Sequence, residues 1–199
     1  EVILRGGSES YATGVTGTVE TLAVYNKMDG TSEMYAVSDT DVYGVSGAGA
    51  AGAQSATVTD GKFQTINFGD GTSNWLIMVN GVDDPLYYNG TDWTYAPSLT
   101  GVTKSTLVNI SEYKGRLIFV EKDSLSFWYL ASGAAGGALT EFDLSSLCTR
   151  GGYLMWSASW SFDGGDGPDD SCVFMTSEGE VIVYRGTDPS TAADWVLSG

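Results

Sequence analysis

Trp75-Leu76-Ile77-Met78-Val79, followed by Asn80-Gly81-Val82-Asp83-Asp84-Pro85 and then Leu86-Tyr87-Tyr88, decides how this chain is read. Five apolar residues bounded by turn formers are too few for a stable helix and suit a strand buried on both faces. The Asn-Gly and Asp-Pro steps give the backbone a way to reverse, and the aromatic run beyond them reads as the returning strand. The same hairpin recurs as Met34-Tyr35-Ala36-Val37 to Val42-Tyr43, Leu117-Ile118-Phe119-Val120 to Phe127-Trp128-Tyr129, and Cys172-Val173-Phe174-Met175 to Val181-Ile182-Val183-Tyr184. Its turns are Ser38-Asp39-Thr40-Asp41, Glu121-Lys122-Asp123-Ser124 and Thr176-Ser177-Glu178-Gly179.

Working outward, a further strand precedes each hairpin, over 19–25, 63–68, 107–113 and 154–162. Another follows, at Trp93-Thr94-Tyr95, Thr140 to Leu144 and Asp194 to Leu197, with a weaker counterpart at Ala56-Thr57-Val58. Small-residue loops at Ser46 to Ala53 and Ser132 to Ala138 occupy the same slot in the first and third copies. Measured at Val42, Leu86, Leu125 and Val181 the copies are 44, 39 and 56 residues apart, the longest gap holding the acidic stretch 163–170. Four-stranded antiparallel units at this period are the mark of propeller blades, which stack because one meander cannot cover both its faces, and the apolar runs Leu76 to Val79 and Val181 to Val183 suit inner strands buried on both sides. The expectation is therefore a single all-β domain over 1–199, a β-propeller or propeller-like array of about four four-stranded blades at 19–58, 63–95, 107–144 and 154–197, with no substantial helix. A β-sandwich with coincidental spacing is the alternative. Glu1 to Arg5 also reads as strand. Either it completes a sheet in a small ring or more blades lie outside a chain that reads as a piece of a longer polypeptide.

Composition narrows function by exclusion. In 199 residues there are 9 Lys and Arg against 25 Asp and Glu, a net charge of −16, and no His. Without imidazole there is no Ser-His-Asp or Cys-His nucleophile, no HExxH zinc site and no His-ligated metal. Nine scattered cations cannot displace the counterions of duplex DNA, so specific nucleic-acid binding is not expected. The longest apolar stretch, near Trp75 to Val79, is far short of the ~20 residues that span a bilayer. Cys148 and Cys172 have no metal-ligand spacing. They read as small buried hydrophobes, with a disulfide left open.

Two clusters are candidates for binding. Asp163, Asp166, Asp169 and Asp170 lie in Asp163-Gly164-Gly165-Asp166-Gly167-Pro168-Asp169-Asp170, a flexible set of oxygen ligands that could take calcium, although the twelfth-position Glu of an EF-hand is missing. The bland reading is an exposed hairpin tip, and no other cofactor is expected. Tyr87, Tyr88 and Trp93, with Tyr95, could stack on a sugar, which would make the chain a carbohydrate-binding propeller or receptor-binding module. Glu112, Asp123 and Glu141 could supply a glycosidase pair, but nothing in the sequence sets two of them at a catalytic separation.

Phe119-Val120-Glu121-Lys122-Asp123-Ser124-Leu125-Ser126-Phe127-Trp128-Tyr129-Leu130 with Thr140-Glu141-Phe142-Asp143-Leu144 resembles a family of phage and prophage structural proteins. So do Gly151-Gly152-Tyr153-Leu154, Asp166-Gly167-Pro168-Asp169-Asp170 and the run from Thr176 to Pro189. The opening Glu1-Val2-Ile3-Leu4-Arg5-Gly6-Gly7 is similar to their early strand ending in Arg-Pro-Gly, with Gly6 in place of the proline. More distantly the chain resembles the tail nozzle (tail tubular protein B) of short-tailed phages. The resemblance implies a virion component of the tail with no enzyme site. It would be a ring-shaped oligomer of identical copies next to adaptor and other tail proteins, through which DNA passes.

Overall fold

The computed structural model of the protein describes residues 9–52, 54–95, 98–163 and 168–199. Among the described residues eighteen strands make up nearly all of the regular structure, joined by one three-residue 3-10 turn, Lys104–Thr106. Four antiparallel sheets follow one another along the chain. The first is β2 (Thr21–Asn26), β3 (Ser32–Val37), β4 (Asp41–Gly44) and β6 (Gln54–Thr57). The second is β7 (Gln64–Gly69), β8 (Asn74–Val79), β9 (Leu86–Tyr88) and β10 (Trp93–Tyr95). The third is β11 (Leu107–Tyr113), β12 (Arg116–Glu121), β13 (Ser126–Tyr129) and β14 (Thr140–Asp143), and the fourth is β15 (Leu154–Asp163), β16 (Pro168–Thr176), β17 (Val181–Arg185) and β18 (Val196–Leu197). Two short strands, β1 (Ala12–Thr13) and β5 (Gly49–Ala50), pair in parallel beside the first sheet. Each sheet is a four-stranded meander in chain order, the blade that the repeat predicts.

The blades stack face to face in sequence. Side chains alternate across each second strand, so each blade has a rear face toward the blade before it and a forward face toward the blade after it. On β8, Leu76 and Met78 point back into a cluster with Tyr35, Val37 and Val42 of the first blade. Ile77 and Val79 point forward into a cluster with Leu117 and Phe119 of the third. On β12, Ile118 and Val120 point forward and meet Cys172, Phe174 and Ile182 of the fourth. Leu76 to Val79 and Leu117 to Val120 are therefore buried on both sides. This is why these two strands lack polar alternation, and each such side chain brings roughly 1.5–3 kcal/mol of burial. The first strands β2, β7, β11 and β15 lie next to one another along the inner margin of the stack, while β10, β14 and β18 are short outer edges.

Cys148 and Cys172 are both free thiols in the cluster between the third and fourth blades. Burial pushes both thiol pKa values up, as expected of buried hydrophobes.

Two details differ from the sequence expectation, and a third fits the propeller-like array it allows. The fourth strand of the first blade starts at Gln54 and ends at Thr57, with Val58 donating its N–H to Thr40 O just beyond it. The run Val181 to Val183 is not buried on both sides, because only Ile182 faces the third blade and Val181 is exposed. The first and last blades form no joint comparable to the other three among the described residues, so the stack is an open arc. Glu1 to Arg5, read as a strand, lies outside the described residues.

Replacing Phe119, which is fully buried between the second and third blades, by Ala should cost about 3–5 kcal/mol in denaturant unfolding. The exposed Val82 changed to Ala should stay within about 0.5 kcal/mol of wild type. Gly81 sits at a φ of +72° with no room for a Cβ beside the branched Val108 side chain, so Gly81→Ala should cost about 1–3 kcal/mol in the same assay.

Candidate functional site

The inner strand of a blade is a sheet edge, with a row of unpaired N–H and C=O groups that must be satisfied where it is covered. Asn side chains do this at two of the three joints. Asn67 Oδ1 accepts from Asn26 N at 2.9 Å and its Nδ2 donates to Val24 O at 2.7 Å, so one side chain closes two backbone groups of the preceding blade. Asn74 Nδ2 adds a bond to Asn26 O at 3.0 Å. Asn109 Oδ1 accepts from Ser157 N at 3.2 Å, and the Ser111 and Ser157 hydroxyls are 2.7 Å apart. Between these inner strands runs a groove of about 430 Å³ lined by Gln64, Val108, Asn109, Ile110, Met155, Trp156 and Ser157. None of these groups ionises near neutral pH. The groove can offer amides, hydroxyls and apolar surface, with no nucleophile paired to a base.

Several carboxylates fasten turns. Asp29 Oδ1 accepts from Thr31 N at 2.9 Å, Asp143 Oδ1 from Ser145 N at 2.7 Å and Asp188 Oδ1 from Ser190 N at 3.0 Å. Asp194 Oδ2 accepts from Thr187 N at 2.6 Å and Asp188 N at 2.7 Å. Asp70 accepts from Thr72 N and Ser73 N, each at 2.8 Å, while its other oxygen takes the indole N–H of Trp75 at 2.8 Å. These bonds favour the charged form. The Thr31 and Thr72 hydroxyls hold Asp29 and Asp70 below the usual carboxylate range, and the backbone N–H groups of Ser145, Ser190 and Thr187 do the same for Asp143, Asp188 and Asp194. A catalytic acid needs the opposite shift. The three carboxylates considered for a glycosidase pair have separate local settings. Glu112 accepts from Gly115 N at 2.5 Å, Glu141 from Ser126 Oγ at 2.7 Å, and Asp123 occupies a left-handed turn position at a φ of 55°.

The aromatic candidates do not share a surface. Tyr87 and Tyr88 are adjacent in β9, so they point to opposite faces of the blade, and both are buried. Tyr87 faces forward and donates to Ala135 O at 3.0 Å. Tyr88 faces back, stacks on Trp93 at 4.8 Å between ring centroids and meets Tyr25 and Tyr35 edge-on. The sugar platform is thereby corrected to two separate interblade contacts, with Trp93 in the rear-facing one. At its rim Glu33 accepts from Lys27 Nζ at 2.7 Å and from the Tyr35 and Tyr88 hydroxyls, each at 3.0 Å. The Lys27 ammonium first, and the two phenols after it, hold the Glu33 carboxyl below its ordinary range.

Of the calcium candidates, Asp166 lies outside the described residues. Asp163 and Asp169 fall in β15 and β16, whose pairing runs to Asp163 opposite Pro168. Asp170 accepts a hydrogen bond from the Ser161 hydroxyl. Among the described residues no three Asp, Glu, Cys or His side chains gather as a metal-ligand set.

One feature escaped the sequence reading although its signal is there. Ala12-Thr13-Gly14-Val15 and Leu99-Thr100-Gly101-Val102 share Thr-Gly-Val. Both segments pair in parallel with the small-residue loop of the sheet that follows them, at Gly49–Ala50 and at Ala138. Both place their glycine at positive φ, 82° for Gly14 and 98° for Gly101. Ala12 and Val15 pack on the rear of the first blade as Leu99 and Val102 do on the rear of the third.

No protein-family model, curated protein or solved structure matches the chain.

The Glu33 network has a pH signature. A carboxyl whose pKa falls on folding adds stability that is present above its unfolded value, near 4.5, and is lost as pH drops through the folded one. The denaturation midpoint of wild type should fall more steeply below about pH 4.5 than that of Glu33→Gln, and the variant should be the less stable of the two at pH 7. Parallel midpoint curves for the two proteins would show that Glu33 contributes no such term.

Proposed function

We propose that the chain is a passive structural subunit of a phage tail, of the nozzle kind that its sequence resembles. In this reading copies of it form a ring-shaped oligomer in the virion, next to other tail and adaptor proteins, around the path that DNA takes on ejection. The observation that carries the reading is the use made of the carboxylates. In a chain of net charge −16, Asp29, Asp70, Asp143, Asp188 and Asp194 fasten turns one at a time and are held ionised, which favours a surface that is negative and chemically idle. A wall of that kind repels phosphate along its whole length and gives a passing duplex nothing to grip. The stacked blades supply the other requirement, a stiff frame whose cores lie between units, so that load on one blade passes to the next through packed side chains.

Mass spectrometry and antibody labelling of purified particles from the parent phage or induced prophage should find the protein at the tail. Its absence from intact particles would overturn the assignment. Duplex DNA should show no retardation by the purified protein at about 0.15 M salt, whereas a measurable shift would contradict a repulsive wall.

A further inference from the structure

We infer that the two ends of the arc are the halves of one more blade joint, and that the forward face of the fourth blade docks on the rear face of the first blade of a second copy. The inference rests on the self-assembly part of the proposed function and assigns the surface that performs it.

Equivalent positions along the stack make the case. Each row across a blade pairs one residue from each neighbouring strand. Leu22–Ala36–Tyr43 in the first blade matches Ile110–Phe119–Trp128 in the third. Ile110 is 6% exposed because the second blade covers it, whereas Leu22 is 64% exposed. At the other end, Val181 sits opposite Met175 as Val42 sits opposite Val37 and Phe127 opposite Val120. Val42 and Phe127 are 0% exposed beneath the following blade, and Val181 is 46% exposed with nothing over it. Trp160, on the same forward face, is 61% exposed. Both ends thus carry the side chains of a joint without the covering sheet.

The rear of the first blade is also dressed for a neighbour. Its Ala12 and Val15 segment has the position that Leu99 and Val102 take on the third blade, where that segment lies inside the joint with the second blade. A segment so placed accompanies a covering blade and does not exclude one. Charge agrees with this. Charged residues are 17% of the chain, but Leu22, Val24 and Met34 at one end and the row Trp156–Met175–Val181 at the other, all exposed or half-buried, have none, the depletion expected at the centre of an interface.

One forward and one rear half per copy make the contact head-to-tail, and such a contact propagates into a ring or a filament. The carboxylates elsewhere on each copy repel, so association should strengthen as salt screens them.

Sedimentation velocity over the micromolar range tests this with two variants at exposed positions, Val181→Glu and Leu22→Glu. Each should keep the wild-type unfolding midpoint. Wild type should associate, more strongly at higher salt, and each variant alone should associate at least about tenfold more weakly. A 1:1 mixture of the variants should form dimers and nothing larger, because one supplies an intact rear face and the other an intact forward face. A wild type that stays monomeric, a variant that still assembles like wild type, or a mixture that does not pair would each overturn the joint, including the case in which another segment of a longer polypeptide covers these faces. Detection of the protein in tails together with any of those results would leave the structural-subunit reading standing and remove only this surface.

Discussion

A strand that is apolar on both sides needs a neighbour on both sides. Leu76 to Val79 and Leu117 to Val120 impose that condition on the second and third blades, and the rest of the architecture meets it. A single four-stranded meander leaves two wide faces, and helices that could cover them are absent from the described residues. Repeating the meander is the remaining solution, each blade serving as the lid of the one before. Three cores result, each lying between sheets. Cohesion therefore belongs to the joints, and a blade at the end of the row has one face that no further blade covers among the described residues.

The polar groups follow from this arrangement. Inner strands stacked side by side would leave backbone groups unsatisfied where they meet, and Asn67 and Asn109 supply the missing partners with side chains that carry no charge. Asp29, Asp70, Asp143 and Asp188 sit in or beside turns, where their oxygens close the local backbone and stay ionised. The joints are mostly apolar, with the Lys27–Glu33 ion pair at the rim of the first and Arg116 reaching Asp188 from the third blade to the fourth.

Much of this was legible in the sequence, and the parts that were not have physical reasons. The four hairpins were readable because an apolar run of four or five residues next to Asn-Gly, Asp or Ser has few structural uses. Strand Leu107–Tyr113 and strand Trp93–Tyr95 fall where the pattern puts them. The aromatic pair Tyr87 and Tyr88 was misread as one surface because adjacency in sequence was given more weight than the two-residue period of a strand, which sends neighbours to opposite faces. Val181 was read as doubly buried because its composition matches a central strand, and only the end position of its blade leaves it open. The Thr-Gly-Val segments were missed because each makes only one short parallel contact, too brief to register as a strand, although their identity across the two copies was in plain view. Pairings such as Asp70 with Trp75 and Glu33 with two tyrosines depend on which residues the fold brings together and have no signature in spacing alone.

The central claim, that successive blades cohere through side chains meeting across a joint, is tested most directly by a double-mutant cycle on Phe127 and Phe174. These rings come from the third and fourth blades and stack at 4.4 Å between centroids. Denaturant unfolding of the two single Leu variants and the double variant should give a coupling of about 0.5–1.5 kcal/mol beyond additivity. Strict additivity of the two substitutions, within about 0.3 kcal/mol, would mean the rings do not touch in solution and would contradict the stacked-blade account.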